Sequence, residues 1–441
     1  MVTLCEMVES ASLVCDPTGT GCHGSIMLKT YDSAATAESF ERHSLEVLGR
    51  LRATIGAVVA AIPGGMRRAS DLKKATGLDM KLSWRLFKVS QAADPLSAGP
   101  HVPSQANIRS FLRASERLGV REELRTAVDE AVGEFDELVA AHAGDRSTFD
   151  SMISALASGA DAAQANLQQR RAAFRANRHI WGVQAEAQLK CVFTDVAEDS
   201  SKVDVAVIDG YASLRQLRHG APLILTSARV ADDDGNPLPV DRRPIDHRAT
   251  GQHGLALLRD FCSEPTPELN EVSVGSGFVC GELTSTGLGI RSAITCFTGW
   301  SARSVGSRYS APHNKHAIVN GAVRIPSEAI TICLLTRAGA LGDADPAVTI
   351  FGDHQAELPY PVHKHVLDSL LLPDEGVVYL GRGASVLSSP EIPCVQEMAR
   401  YVFEAMGWDE SQFDVHRCRI AYPIVPSSVA VSIELPPAPT T

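Results

Sequence analysis

Near Cys191 the chain changes its hydrophobic period, and that change constrains the fold more than any other feature of its 441 residues. Before it, apolar side chains recur every three or four positions, as a helix buried on one face requires. Residues 37–62 place Phe40, Leu45, Leu48, Leu51, Ile55, Val58 and Val59 at this spacing and end at Pro63-Gly64-Gly65. Residues 104–118 form a second long helix, capped by Ser104, and residues 121–142 carry Leu124, Val128, Val132, Phe135, Leu138 and Val139 on one side. Residues 147–157 and 160–190 continue in the same way. After Cys191 come short runs of Val, Ile and Thr at 203–208, 222–227, 289–297, 329–336, 347–351 and 376–380, which read as strands. Turns punctuate them at Asp234-Gly235-Asn236 and at 339–346. Helices are expected between them at 253–261, 363–371 and 393–406, and residues 417–435 read as strand broken by Pro423 and Pro426, the composition of a sheet edge. Without a regular repeat or strict strand–helix alternation, the expected class is a multidomain α+β protein with a helical N-terminal half and a β-rich C-terminal half.

Within the helical half, Ser70–Val89 has its own logic. Ser70 and Asp71 suit the start of a short helix, Gly77 can take the left-handed conformation that stops it, and Asp79 can cap the next. Leu78, Leu82, Leu86 and Val89 then form one stripe. Two short helices joined by a tight glycine turn make a helix-turn-helix, whose second helix can enter a DNA major groove. Leu72, Ala75-Thr76-Gly77-Leu78 and Arg85-Leu86-Phe87 resemble the winged-helix bacterial transcription regulators over about twenty residues. In that reading residues 37–62 are the supporting first helix, and 94–104, with Pro95, Gly99, Pro100 and Pro103, is the loop where a wing would lie. The loop is poor in strand-formers, which argues against a two-stranded wing. Gly77-Leu78-Asp79 and Trp84-Arg85-Leu86 also resemble the dimerisation domain of small-molecule O-methyltransferases. Those enzymes need a glycine-rich cofactor turn after a strand. Residues 203–210 (V-D-V-A-V-I-D-G) come nearest and lack its glycine pattern.

Charge is distributed to match. The chain carries a net −11, which argues against indiscriminate nucleic-acid binding. Residues 64–90 nevertheless hold Arg67, Arg68, Lys73, Lys74, Lys81, Arg85 and Lys88 against Asp71 and Asp79, a local +5 that leaves −16 elsewhere. A small positive module on an acidic body suits a directed contact with phosphates.

Other chemistry is less specific. The ten cysteines include no C-x-x-C pair, and Cys15, Cys22 and His23 lack a second pair at zinc-finger spacing, so buried reduced thiols of a cytoplasmic protein are expected. His313, His316, His363, His365, His253 and the pair Asp246-His247 could contribute to a metal site, yet no H-x-x-x-H or H-E-x-x-H signature occurs. Gly275-Ser276-Gly277 and Gly381-Arg382-Gly383-Ala384-Ser385 match neither a phosphate loop nor a dinucleotide fingerprint and read as hairpin turns. No G-x-S-x-G elbow is present. No apolar run has the length of a membrane span, and the N-terminus has Glu6 and Glu9 before any basic residue, unlike a secretory signal.

The resulting expectation is a cytoplasmic, DNA-binding transcriptional regulator. An irregular segment (1–35) precedes a winged-helix-like domain (36–118), a helical linker or dimerisation region (119–190), and an α+β domain (191–441) that senses a small-molecule effector or drives homo-oligomerisation. Arg67, Arg68, Lys73 and Lys74 would sit on phosphates of double-stranded DNA, and Lys81, Ser83, Arg85 and Lys88 on or beside the reading helix. No metal or cofactor is assigned. The competing expectations are an enzyme whose helix-turn-helix serves dimerisation, and a structural assembly protein.

Overall fold

The computed structural model describes residues 33–156, 160–221, 223–228, 241–248, 256–275, 278–284, 287–312, 315–352 and 376–439. The chain divides into two compact units, Met1–Phe149 and Asp150–Thr441. The first is helical and the second is built mainly of strands, which gives the expected α+β class.

In the helical unit, α1 (Ser33–Ala61) is the spine. It buries Leu48, Leu51, Ile55 and Val58 completely, the face read from their spacing. Helices α2 (Ala69–Thr76), α3 (Met80–Gln91), α4 (Pro95–Ala98), α5 (Gln105–Arg117) and α6 (Glu122–His142) follow, with α3, α4 and α6 packed on α1. The Asp71 carboxylate accepts the backbone N–H groups of Arg67 (3.2 Å) and Arg68 (3.0 Å), so α2 begins before Ser70, which lies in its first turn instead of capping it. Gly77 ends α2 at φ 72°, its N–H donating to the Lys73 carbonyl at 2.9 Å. Asp79 caps α3 as expected, its Oδ1 accepting from Leu82 N at 2.9 Å. At the other end of α3, Arg52 of α1 donates to the carbonyls of Ala92 (2.9 Å) and Ala93 (3.2 Å), satisfying acceptors that a helix end leaves open. The loop at 94–104 is taken up by α4 and a 3₁₀ turn, Gly99–His101, and no strand occurs among the described residues of this unit. α7 (Arg146–Leu156) contains the division between the units.

The strand-rich unit departs further from expectation. α8 (Ala160–Trp181) stops at Gly182, φ 70°, and residues 183–190 are strand, not helix. The strands are β1 (Val183–Val196), β2 (Lys202–Gln216), β3 (Ile224–Ala228), β4 (Arg243–Pro244), β5 (Leu269–Gly275), β6 (Phe278–Leu283), β7 (Ile294–Ser307), β8 (His316–Val323), β9 (Ser327–Arg337), β10 (Ala347–Phe351) and β11 (Val377–Arg382). After α9 (Val395–Met406) come β12 (Phe413–Ala421) and β13 (Ser427–Glu434). The main sheet runs β11-β12-β9-β1-β2-β7-β4, with β1–β9 its parallel pair and its other neighbours antiparallel.

Both faces of that sheet are covered. Leu189, Cys191 and Phe193 of β1 join Ile208, Leu335 and Val415 under Met398, Val402 and Phe403 of α9. On the opposite face Val192, Val207, Ile332 and Ile420 meet Val429 and Val431 of β13, the central strand of a second sheet, β10-β13-β8. Each such side chain, fully buried, contributes about 1.5–3 kcal/mol. The C-terminal strands are therefore not edges: β12 lies between β11 and β9, and Pro423 and Pro426 fall between β12 and β13. A third small sheet is β3-β6-β5. In place of the helix expected at 253–261, the described part holds only a 3₁₀ turn, Arg259–Phe261. The helix expected at 363–371 and the turn at 234–236 lie outside the described residues.

Candidate functional site

The buried stripe of α3 is Leu82, Leu86 and Val89, with Leu78 half-buried before it. That stripe turns Met80, Lys81 and Trp84 to solvent and leaves Arg85 and Lys88 at its margin. Arg67, Arg68, Lys73, Lys74 and Lys81 are exposed. Among the described residues, no carboxylate is ion-paired to these five or to Arg85. The two nearby acids are already engaged, Asp71 on the N–H groups that begin α2 and Asp79 on the start of α3.

Ser83 corrects the sequence reading. It is 0% exposed, and its Oγ has no hydrogen-bond partner among the described residues, so it cannot touch a base edge. The helical period explains why: Ser83 precedes Leu86 by three and follows Leu82, on the core side of α3. Trp84 takes the outward position instead. Its ring meets His101 edge-on, with centroids 5.2 Å apart, and Lys88 Nζ lies 5.9 Å from its centroid. Met80 (46% exposed) and Trp84 (42%) lie one turn apart on that face.

Among the described residues, the metal and phosphate-loop candidates do not assemble. His253, His313, His363 and His365 lie outside the described residues, His247 is exposed, and His316 begins β8. Among the described residues no group of three His, Cys, Asp or Glu side chains is placed to hold a metal. Asp246 is committed to Arg248, whose Nη2 approaches its Oδ2 at 2.8 Å. At Gly381–Ser385, the N–H of Ala384 donates to Glu410 Oε2 at 2.8 Å, so a carboxylate of the chain occupies the place a phosphate would take. Gly275 faces Phe278 across the β5–β6 hairpin. The described cysteines form no disulfide with one another, and Cys191, Cys280, Cys296, Cys333 and Cys418 are buried. Cys191 and Cys333 face each other across β1 and β9, and the hydrogen bond with Cys333, together with burial, pushes the Cys191 thiol well up. These are inert core thiols.

A site absent from the sequence reading lies where α8 gives way to β1. Arg175, Arg178 and His179 from the end of α8, with Arg215 and Arg218 from the end of β2 and the turn beyond it, line a concavity of ≈ 1010 Å³. The segments are stitched together by backbone: Gly182 O accepts from Leu217 N (2.7 Å) and Arg218 N (3.2 Å), and Gln216 O accepts from Gly289 N (2.9 Å). Gly182 is required twice over. Its φ is left-handed, and a Cβ there would stand 2.8 Å from Arg218 Cβ. The buried Gln184 accepts a hydrogen bond from Arg178 Nη1 at 3.2 Å. The sequence signal for this site is a pair of basic runs, R-R-A-A-F-R-A-N-R-H and R-Q-L-R-H, separated by β1, whose first half has the composition of a helix, and most of β2.

No protein-family model matches the chain. No curated protein matches it either. Among solved structures, the chain is similar to one described as a "putative protease" from Parabacteroides distasonis ATCC 8503, at 9% identity and a TM-score of 0.24. The match covers 57% of this chain and 40% of that one, a likeness too slight to bear on fold or function.

Proposed function

We propose that the chain is a DNA-binding regulator in which α2 and α3 act as a helix-turn-helix and the strand-rich unit senses a ligand or drives oligomerisation. The observation that supports this reading is the set of exposed cations around the α2–α3 turn that have no acidic partner among the described residues, on a chain of net charge −11. Arg67, Arg68, Lys73 and Lys74 position the unit on phosphates. Lys81 lies on the outward side of α3 and Arg85 at its margin, where base edges would be read. The test is fluorescence anisotropy with random and selected duplexes. Lys73→Ala/Lys74→Ala weakens binding to every sequence alike, whereas Lys81→Ala costs about 1–3 kcal/mol at one base position and relaxes preference there. Ser83→Ala leaves binding unchanged, because that side chain is buried.

One observation favours a second reading. Met80 and Trp84 give the exposed face of α3 an apolar centre, which suits contact with a second copy of the chain better than with a phosphate backbone. If α3 is a dimerisation element, Trp84→Ala shifts the sedimentation of the full chain toward monomer, and the unaltered protein shows no salt-dependent DNA binding.

A further inference from the structure

Most arginines on the main sheet's strands have partners. Arg303 pairs with Asp204, Arg337 with Asp195, Arg382 with Asp414, and Arg419 with Glu391. Arg417 donates to the Ser388 carbonyl at 3.0 Å. The four arginines of the concavity differ. Among the described residues none of them is ion-paired to a carboxylate, and none of the residues lining the concavity is acidic. We infer that this concavity is a binding site for a nucleoside polyphosphate.

The charge argument comes first. Four permanently charged guanidinium groups gathered around one space repel each other, and a partner of one or two charges would leave the excess standing. Placement of Arg178 and His179 at the C-terminus of α8 would by itself be ordinary, since cations are favoured there. That explanation does not reach Arg215 and Arg218, which arrive from β2 and the turn after it. The same helix end opposes an anion with roughly half a negative charge. Four full positive charges outweigh it, and the N–H of Gly182 already occupies the Arg178 carbonyl at 3.0 Å.

Shape narrows the class. Guanidinium forks match phosphate oxygens in pairs, and these forks are presented by stitched backbone, which lowers the entropy lost on binding. A volume of ≈ 1010 Å³ exceeds what inorganic phosphate or pyrophosphate fills and is that of a site for a whole small molecule. Two lining side chains, Leu217 (41% exposed) and Ile290 (76%), offer exposed apolar surface beside the arginines. A ligand with a polyanionic end and a flat, weakly polar ring uses both. A nucleic-acid strand would want its cations along a track, whereas these converge on one hollow.

The experiment is calorimetric titration of the full chain, in low salt with EDTA, using ADP, inorganic pyrophosphate and adenosine as separate probes. ADP is expected to bind saturably, pyrophosphate more weakly, and adenosine more weakly than ADP by at least about tenfold. Arg178→Ala or Arg215→Ala should each weaken ADP by about tenfold or more, with Arg215→Lys intermediate because it keeps charge and loses the fork. Arg243→Ala, a surface arginine paired with Asp241, should change nothing, and neither should Lys73→Ala/Lys74→Ala in the helical unit. The inference is overturned if ADP and pyrophosphate show no saturation up to about 1 mM, a bound that corresponds to roughly 4 kcal/mol of binding. It is equally overturned if the arginine variants bind as the unaltered chain does, or if a single-stranded oligonucleotide binds more tightly than ADP and is lost with the same variants. The DNA-binding proposal stands or falls separately, on variants of the other unit.

Discussion

Lys73, Lys74 and Lys81 in the helical unit stand in solvent with no acidic partner among the described residues, while in the strand-rich unit Arg303 and Arg337 sit against Asp204 and Asp195, two aspartates that are themselves buried. The difference follows from architecture. A helix on a small bundle can turn its whole polar face outward, so its charges need no partners. A sheet covered on both faces has few outward positions, and a carboxylate caught there must be neutralised or it costs several kcal/mol. Among the described residues Arg259, Arg291 and Arg400 of the second unit also lack a carboxylate partner, so what marks the four at the hollow is that they line one space.

The same contrast governs tolerance to added volume, and here the largest effects are expected. A Cβ at Gly210 in β2 would lie 2.2 Å from the Cys296 carbonyl oxygen and 2.7 Å from Phe297 Cα, backbone that cannot move aside. Gly210→Ala should cost at least about 3 kcal/mol or prevent folding of the sheet. A methyl group at Gly133, within α6, would meet nothing within 4 Å, so Gly133→Ala should stabilise the helical unit by about 0.5–1 kcal/mol. Chemical denaturation followed by circular dichroism reads both. Equal effects would break the comparison.

Charge deletion should give the next largest difference. Arg337→Ala strands the Asp195 carboxylate, 4% exposed and 3.1 Å from Nη1, and should lower the stability of the strand-rich unit by about 1–2 kcal/mol. Arg215→Ala removes a cation with no carboxylate partner among the described residues and should stay within about 0.5 kcal/mol. Comparison of the two melting curves sharpens the distinction between arginines that hold the fold and arginines free to hold something else.

These contrasts also explain what is legible in the sequence. The helical unit reads closely because its stripes are local: Leu48 through Val59 in α1, and Leu82, Leu86 and Val89 in α3, are buried as their spacing demands. Residues 183–190 mislead because V-Q-A-E-A-Q-L-K has the composition of a helix with a polar face. In the fold two of those polar residues find partners on other strands. Lys190 pairs at 3.2 Å with Asp209 directly opposite on β2, and Gln188 donates to the Ala322 carbonyl at 2.9 Å. Such partners are distant in sequence, and no periodicity announces them. The basic α2–α3 face is legible as a charge run, whereas the arginine hollow joins residues 175–179 to 215–218 through a strand pairing that only the fold reveals. Ser83 escapes correct assignment because a small polar residue carries no signal of which side it faces.

Acid should act on both units through histidine, by a smaller margin. His142 of α6 hydrogen-bonds His43 of α1, ring nitrogens 3.1 Å apart, and burial together with the His43 ring holds its pKa below 6.5. A lowered histidine pKa means the unfolded chain binds more protons, so this contribution is present above pH 6.5 and is lost as pH falls below it. In the other unit the hydrogen bonds from Arg248 hold Asp246 down at about 2, so its contribution persists until pH drops below 3.8. His416 of β12 is also held below 6.5, chiefly by burial, so lowering pH from 7 to about 5 should reduce the denaturation midpoints of both units, and His142→Gln should remove the helical unit's share alone. A helical-unit midpoint that moves as far in His142→Gln as in the unaltered chain would contradict this assignment.

The central claim is that the exposed cations of the helical unit meet phosphates, and the most direct measurement is the salt dependence of binding by the full chain to a duplex of about 20 base pairs. With four or five phosphate contacts, the logarithm of the association constant should fall against the logarithm of salt concentration with a slope of about −3.5 to −4.5, and Lys73→Ala/Lys74→Ala should flatten it by about 1.8. A chain that shows no salt-dependent binding at about 50 mM salt, or whose slope is untouched by losing both lysines, would contradict the account.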